Sequence, residues 1–127
     1  MTDICPHPIK IEVVTEYLPH ESEPNESEFV FRYTITITNE SDQTIKLLSR
    51  HWIITDGENQ VEHIQGDGVV GQQPSIAPGT SYTYSSGCIL PTPVGSMYGS
   101  YQMQAKDGQL FNAPINPFTL AVPNIVH

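Results

Sequence analysis

The sequence predicts an all-β fold: an antiparallel two-sheet β-sandwich of fibronectin type III or immunoglobulin-like kind, with about seven strands. Three observations carry that expectation. Apolar residues recur with a period of two through most of the chain. No stretch sustains apolar residues at i, i+3, i+4 and i+7, so no helix is expected. Turns bearing Pro and Gly interrupt the alternating segments at short intervals. A closed barrel is the alternative architecture.

The elements follow in order. "IKIEV" opens the pattern, with Ile9, Ile11 and Val13 on one face. "ESEPNESE" (residues 21–28) gathers four acids around Pro24 and reads as a solvated loop. "FVFRYTITIT" is the clearest strand. Phe29, Phe31, Tyr33, Ile35 and Ile37 share one side, and Arg32, Thr34, Thr36 and Thr38 share the other. "NESDQT" turns into "IKLLSRHWIIT", which ends at "DGEN". There Trp52 and Ile54 oppose His51 and Ile53, so apolar residues on both faces predict a central strand. "VEHIQ" is a further strand candidate, and Trp52 is expected in the core. "SYTYSSGCIL", "GSMYGSYQMQA" and "FTLAV" close the series, separated by "PTPVG", "KDG" and "NAPINP".

At 127 residues, 38% hydrophobic and 15% charged, the chain suits one globular domain with a single core. No apolar run approaches the roughly 20 residues of a membrane-spanning helix, so no membrane insertion is expected. "MTDICPHPIK" lacks a basic region followed by an apolar one, so it does not read as a secretory signal. A cytoplasmic protein is the expectation. Cys5 and Cys88 then read as two ordinary thiols rather than a bridge.

Fourteen acids against five bases give a net charge of −9. Nucleic acid and anionic membrane are held mainly through Lys and Arg, so neither is an expected partner. Such acidity attracts basic partners or cations, or serves solubility alone.

Gly66, Gly68 and Gly71 in "QGDGVVGQQP" stand at G-x-G-x-x-G, the spacing that cradles a dinucleotide pyrophosphate in a Rossmann unit. That unit needs a helix after the motif, but Pro74, Pro78 and Gly79 occupy the place where it would run. The ribose-binding acid is missing too, because no Asp or Glu occurs between Gly68 and Lys106. A phosphate loop is excluded as well, since no Lys or Arg lies between Arg50 and Lys106. NAD, FAD and ATP are not expected ligands, and no cofactor is expected. The glycines then serve a tight loop between the sheets, with Val69 and Val70 plugging one end of the core. Alternatively they form a nest of backbone N–H groups that holds an anion.

Other chemistry finds little footing. His7, His20, His51, His63 and His127 show no short metal-ligand spacing, and the "CPH" group lies near a chain end expected to be mobile. A metal site could assemble across strands only from His51, His63, Asp56 or Glu62, and none is expected. There is no G-x-S-x-G elbow, and Cys88 reads as a buried strand thiol. No catalytic residues are assigned and no enzyme activity is expected.

"LLSRHWIITDG", "GDGVVGQQPSIAPG" and "SGCILPTPVGSMYGSYQM", with "PFTLAV" near the end, resemble the successive blocks of the ApaG family. The likeness runs from about Ile9 to Val122, as a single domain over residues 1–127. Asp67 stands where a glutamate is expected in that family. The resemblance implies a fibronectin type III-like sandwich. It implies kinship with domains of F-box proteins and of a polymerase-interacting protein, where they look like interaction modules. It also brings a label of association with cobalt and magnesium efflux or resistance.

Two functions follow as expectations. The first is a non-catalytic binding domain that presents loops and an edge to a protein partner, a second copy of itself included. The second is a small-ligand binder for a phosphate-bearing metabolite or a divalent cation. In both, the candidate residues are Gly66, Asp67, Gly68, Val69, Val70, Gly71 and Gln73.

Overall fold

The computed structural model describes residues 7–123. Eight strands run through them: β1 (Ile9–Tyr17), β2 (Phe29–Asn39), β3 (Ile45–Asp56), β4 (Val61–Asp67), β5 (Ser75–Ile76), β6 (Ser81–Leu90), β7 (Val94–Ala105) and β8 (Leu110–Ala121). All pair antiparallel. One sheet has the order β1-β2-β6; the other has the order β4-β3-β7-β8, with the short β5 also pairing to β3. The two sheets form the sandwich expected from the period-two pattern. Among the described residues helix is limited to two single 3-10 turns, Pro19–Glu21 and Pro24–Glu26.

In β2 the alternation does what it predicts. Phe31, Tyr33, Ile35 and Ile37 are buried, while the Thr side of the strand lies outward. On that outer side the hydroxyls pair across to β6: Thr34 with Ser85 at 2.7 Å, Thr36 with Thr83 at 3.0 Å, and Thr38 with Ser81 at 2.7 Å. Such cross-strand pairs add to register specificity. The β3 strand is central, between β4 and β7, with Trp52 and Ile54 buried and His51 and Ile53 half-buried on its other face.

Trp52 is the hub of the core. Its ring meets Tyr33 of the facing sheet at 5.4 Å, Phe118 at 5.8 Å and Tyr101 at 6.4 Å, all edge-on. Edge-to-face packing is the arrangement that ring quadrupoles favour. The Tyr84 and Tyr101 hydroxyls hydrogen-bond to each other between the sheets. Burial pushes both phenols above their ordinary range.

Three expectations need correction. "NAPINP" is not a separator; it lies within β8, which runs unbroken from Leu110 to Ala121. Proline is tolerated there because β8 is an edge strand and because Asn116 and Pro117 fall at a bulge opposite Tyr98. His7 does not lie loose near the chain end. It is buried, 4.9 Å from the Phe111 ring, with Nε2 3.2 Å from Gln109 Oε1. Of the two valines assigned to plug the core, Val69 does so at 0% exposure, whereas Val70 is 62% exposed. Cys5 and His127 lie outside the described residues.

Candidate functional site

The glycine segment hangs from a flaw in the central strand. Leu48 is the extra residue of a β-bulge, since Leu47 pairs Met103 and Ser49 pairs Gln102. A bulge frees backbone groups that would otherwise serve the ladder. The Leu48 carbonyl takes two donors from the segment, the Gly68 N–H at 2.8 Å and Gln73 Nε2 at 2.9 Å. Next to it, the Leu47 N–H donates to Pro74 O at 2.9 Å. The segment is thereby bound back onto β3 at both of its ends.

Between those ends the chain makes a two-residue hairpin. Val69 and Gln72 exchange N–H···O bonds of 2.8 and 3.0 Å, and both central residues have positive φ, 47° at Val70 and 76° at Gly71. This is the type I′ pattern, which favours Asn-Gly or Gly-Gly because L-residues resist positive φ. A β-branched residue there is a genuine outlier.

The three glycines answer three different needs. At Gly66, a Cβ would lie 2.9 Å from the Arg50 guanidinium, which rests across that position and donates to the Asp67 and Gly68 carbonyls at 3.1 and 2.8 Å. At Gly68 φ is +63°, and a Cβ would meet the Gln72 carbonyl oxygen at 2.3 Å. At Gly71 only φ matters, for the space around it is open. The G-x-G-x-x-G spacing is thus a property of one hairpin, with no helix after it.

The geometry also bears on the anion nest. The N–H groups of Gly68, Val69 and Gln72 already donate to carbonyls within the protein. Gln73, a candidate ligand contact, spends its amide on Leu48. Asp67 and Val70 are exposed, and Val70 forms the apolar tip.

Beside the hairpin, Ser49, His51, Gln65, Asp67, Gln102 and Asn112 line an open polar groove of about 480 Å³ on the outer face of the larger sheet. His51 Nε2 lies 3.1 Å from His63 Nδ1, with the rings stacked at 5.3 Å. Asp56 and Glu62 do not join them: among the described residues no three His, Cys, Asp or Glu side chains are placed to hold a metal. No described helix is long and apolar enough to cross a membrane.

Cys88 is buried, and burial first, then the nearby Glu62 charge, pushes its thiol up to about 11. At neutral pH almost none of it is thiolate, the form that attacks. This has a consequence for stability. In the unfolded chain the thiol releases its proton near its ordinary pKa of 9.0, earlier than in the folded one. Stability is therefore full below pH 9 and is lost as pH rises towards 11, by up to about 3 kcal/mol. Urea midpoints measured across that window should fall, and Cys88→Ala should delay the onset by about one pH unit, to the ordinary phenol range near 10.0 where the tyrosines of the unfolded chain begin to ionise.

Arg50 and Asn39 were not among the sequence candidates. Asn39, at the end of β2, is fully buried with both ends of its amide engaged. Nδ2 donates to Gln43 O at 2.7 Å and to Ile76 O at 2.8 Å. Oδ1 accepts from the Ser41 N–H at 3.0 Å and from the Ser41 hydroxyl at 2.6 Å. It ties the β2–β3 turn to β5, the far anchor of the hairpin segment.

Residues 19–105 match the family model described as the ApaG domain. The chain is 56% identical over 119 residues to Protein ApaG of Pseudomonas putida, covering 94% of each chain, and equally to that of Ectopseudomonas mendocina. A crystal structure of a protein from Bordetella pertussis described as ApaA superposes with a TM-score of 0.91 at 45% identity, covering 97% of this chain and all of that one. A second X-ray structure gives 0.89 at 50% identity, over 94% and 90% of the two chains.

Proposed function

The chain belongs to the ApaG family, and we propose on that footing that it is a non-catalytic binding domain whose glycine hairpin docks a protein partner. One observation carries the reading. Val70, a β-branched residue, is held at φ 47° and left 62% exposed at the tip of a hairpin fastened by Leu48, Gln73 and Arg50. Backbone strain of this kind costs on the order of 1–3 kcal/mol and persists where the surroundings enforce it, commonly at ligand-contacting sites. An apolar tip on a rigid base gives an anchor whose ordering entropy is already lost before binding.

A small-ligand role is the weaker reading, because the loop's inner N–H groups and its nearest guanidinium are engaged within the protein. On the docking reading, any part in cobalt or magnesium efflux passes through the partner.

The test separates binding from folding. Val70→Asn places the Asn-Gly pair that a type I′ turn prefers and removes the apolar tip. It is expected to stabilise the fold by about 1 kcal/mol in urea denaturation while weakening capture of the partner from lysate. A variant that gains stability and keeps its partner would defeat the proposal.

A further inference from the structure

Along one side of the sandwich β1 lies against β8. On the opposite side the edge strands β4 and β6 stand apart over a cleft of about 390 Å³. Trp52 and Ile54 lie along it, with Ile64 and Glu62 from β4 and Cys88 and Ile89 from β6. A second hollow of about 350 Å³, sharing Ile54, Glu62 and Ile89, continues it past Val61 and Asp56. Large apolar side chains rim this side: Val61 is 57% exposed, Ile64 38% and Ile89 64%. Among the described residues the β4 strand pairs only with β3, so its outer margin there carries unpaired backbone donors and acceptors.

We propose that this margin takes up an extended strand from a partner, one that alternates aliphatic with basic residues. The proposal rests on the protein-docking reading above and names a surface and a partner chemistry for it. Alternation follows from geometry: a strand added to β4 sends every second side chain into the cleft. The aliphatic requirement follows from Ile54, Ile64 and Ile89.

The charge of the occupant follows from Glu62. It pairs opposite Ile54, which puts its carboxylate on the cleft side of β4, and Asp56 stands nearby. Arg50 reaches the same cleft, but its guanidinium is bonded to the Asp67 and Gly68 carbonyls. A charge turned inward on an edge strand discourages pairing with like-charged strands. Two copies of a chain with a net charge of −9 would bring their Glu62 carboxylates together, whereas a lysine- or arginine-bearing strand neutralises them.

Trp52 is the sole tryptophan of the chain, lines the cleft, and has an indole N–H without an acceptor. It therefore reports occupancy. The probe is a short capped peptide of alternating valine and lysine, titrated into the full-length protein at physiological salt. Saturable change in Trp52 fluorescence is expected, with slowed amide exchange confined to β4. Glu62→Lys should weaken binding at least about tenfold. Glu40→Lys, the same charge change in the exposed β2–β3 turn, should leave it nearly intact.

Three results would each overturn the proposal: no binding, binding without protection of the β4 amides, or equal weakening by Glu62→Lys and Glu40→Lys. A serine–lysine peptide that binds as tightly would do so too, by showing attraction through charge alone. Val70→Asn leaves the β4 margin intact and should not alter peptide affinity, so the hairpin and the cleft can fail separately.

Discussion

Gly68→Ala should cost about 3–4 kcal/mol, whereas Gly71→Ala, in the same turn, should cost about 1–2 kcal/mol. Both glycines have positive φ, and forcing an L-residue there accounts for about 1–2 kcal/mol at either place. The difference lies in what a methyl group meets. At Gly71 it meets nothing; at Gly68 it lies 2.3 Å from the Gln72 carbonyl, a backbone atom with no rotamer to yield. Relief requires opening the Val69–Gln72 pair, two hydrogen bonds worth about 0.5–1.5 kcal/mol each. Denaturation followed by Trp52 fluorescence measures both costs. Equal values would show that the close approach at Gly68 is absent in solution.

Asn39→Ala is the second large effect, expected at about 3–5 kcal/mol. The side chain is wholly buried, so its loss leaves the Ser41 N–H without its partner and takes one donor each from the Gln43 and Ile76 carbonyls. A stranded buried donor costs about 1–3 kcal/mol and each of the other hydrogen bonds lost about 0.5–1.5 kcal/mol, offset in part where water follows the truncation. The Ser41 hydroxyl keeps its bond to Gln43 O, which limits the damage. Because Ile76 belongs to β5, amide exchange should quicken through residues 68–76 as well as in the turn. A urea midpoint within error of the parent would refute this account of Asn39.

Much of the fold could be read in the sequence because period two leaves a local trace. The strands β2 and β6 declare their buried faces residue by residue, and Trp52 with Ile54 marks the inner side of β3. The β8 strand does not, since Pro114 and Pro117 look like breakers until its place at a sheet edge is known. The glycine hairpin could be separated from a Rossmann turn by its prolines, yet nothing local shows that Val70 is turned out while Val69 is turned in. Arg50 and Asn39 escaped for the same reason. The Arg50 partners lie 17 and 18 residues away, and Ile76 lies 37 residues from Asn39, distances that only tertiary structure closes, whereas the bonds of Asn39 to Ser41 and Gln43 are local. One signal was available for Arg50: it is one of only five bases in an acidic chain.

The prolines of β8 carry a consequence for valence. Each removes a backbone donor, so the β8 side of the larger sheet offers an interrupted template, while β4 on the opposite side has no proline and a free margin of seven residues. A unit open at both ends propagates, as monomers do in a growing polymer. A unit open at one end can only terminate. Within the larger sheet, strand uptake through β4 therefore stops at a single partner, because that sheet has no second uninterrupted edge from which to grow.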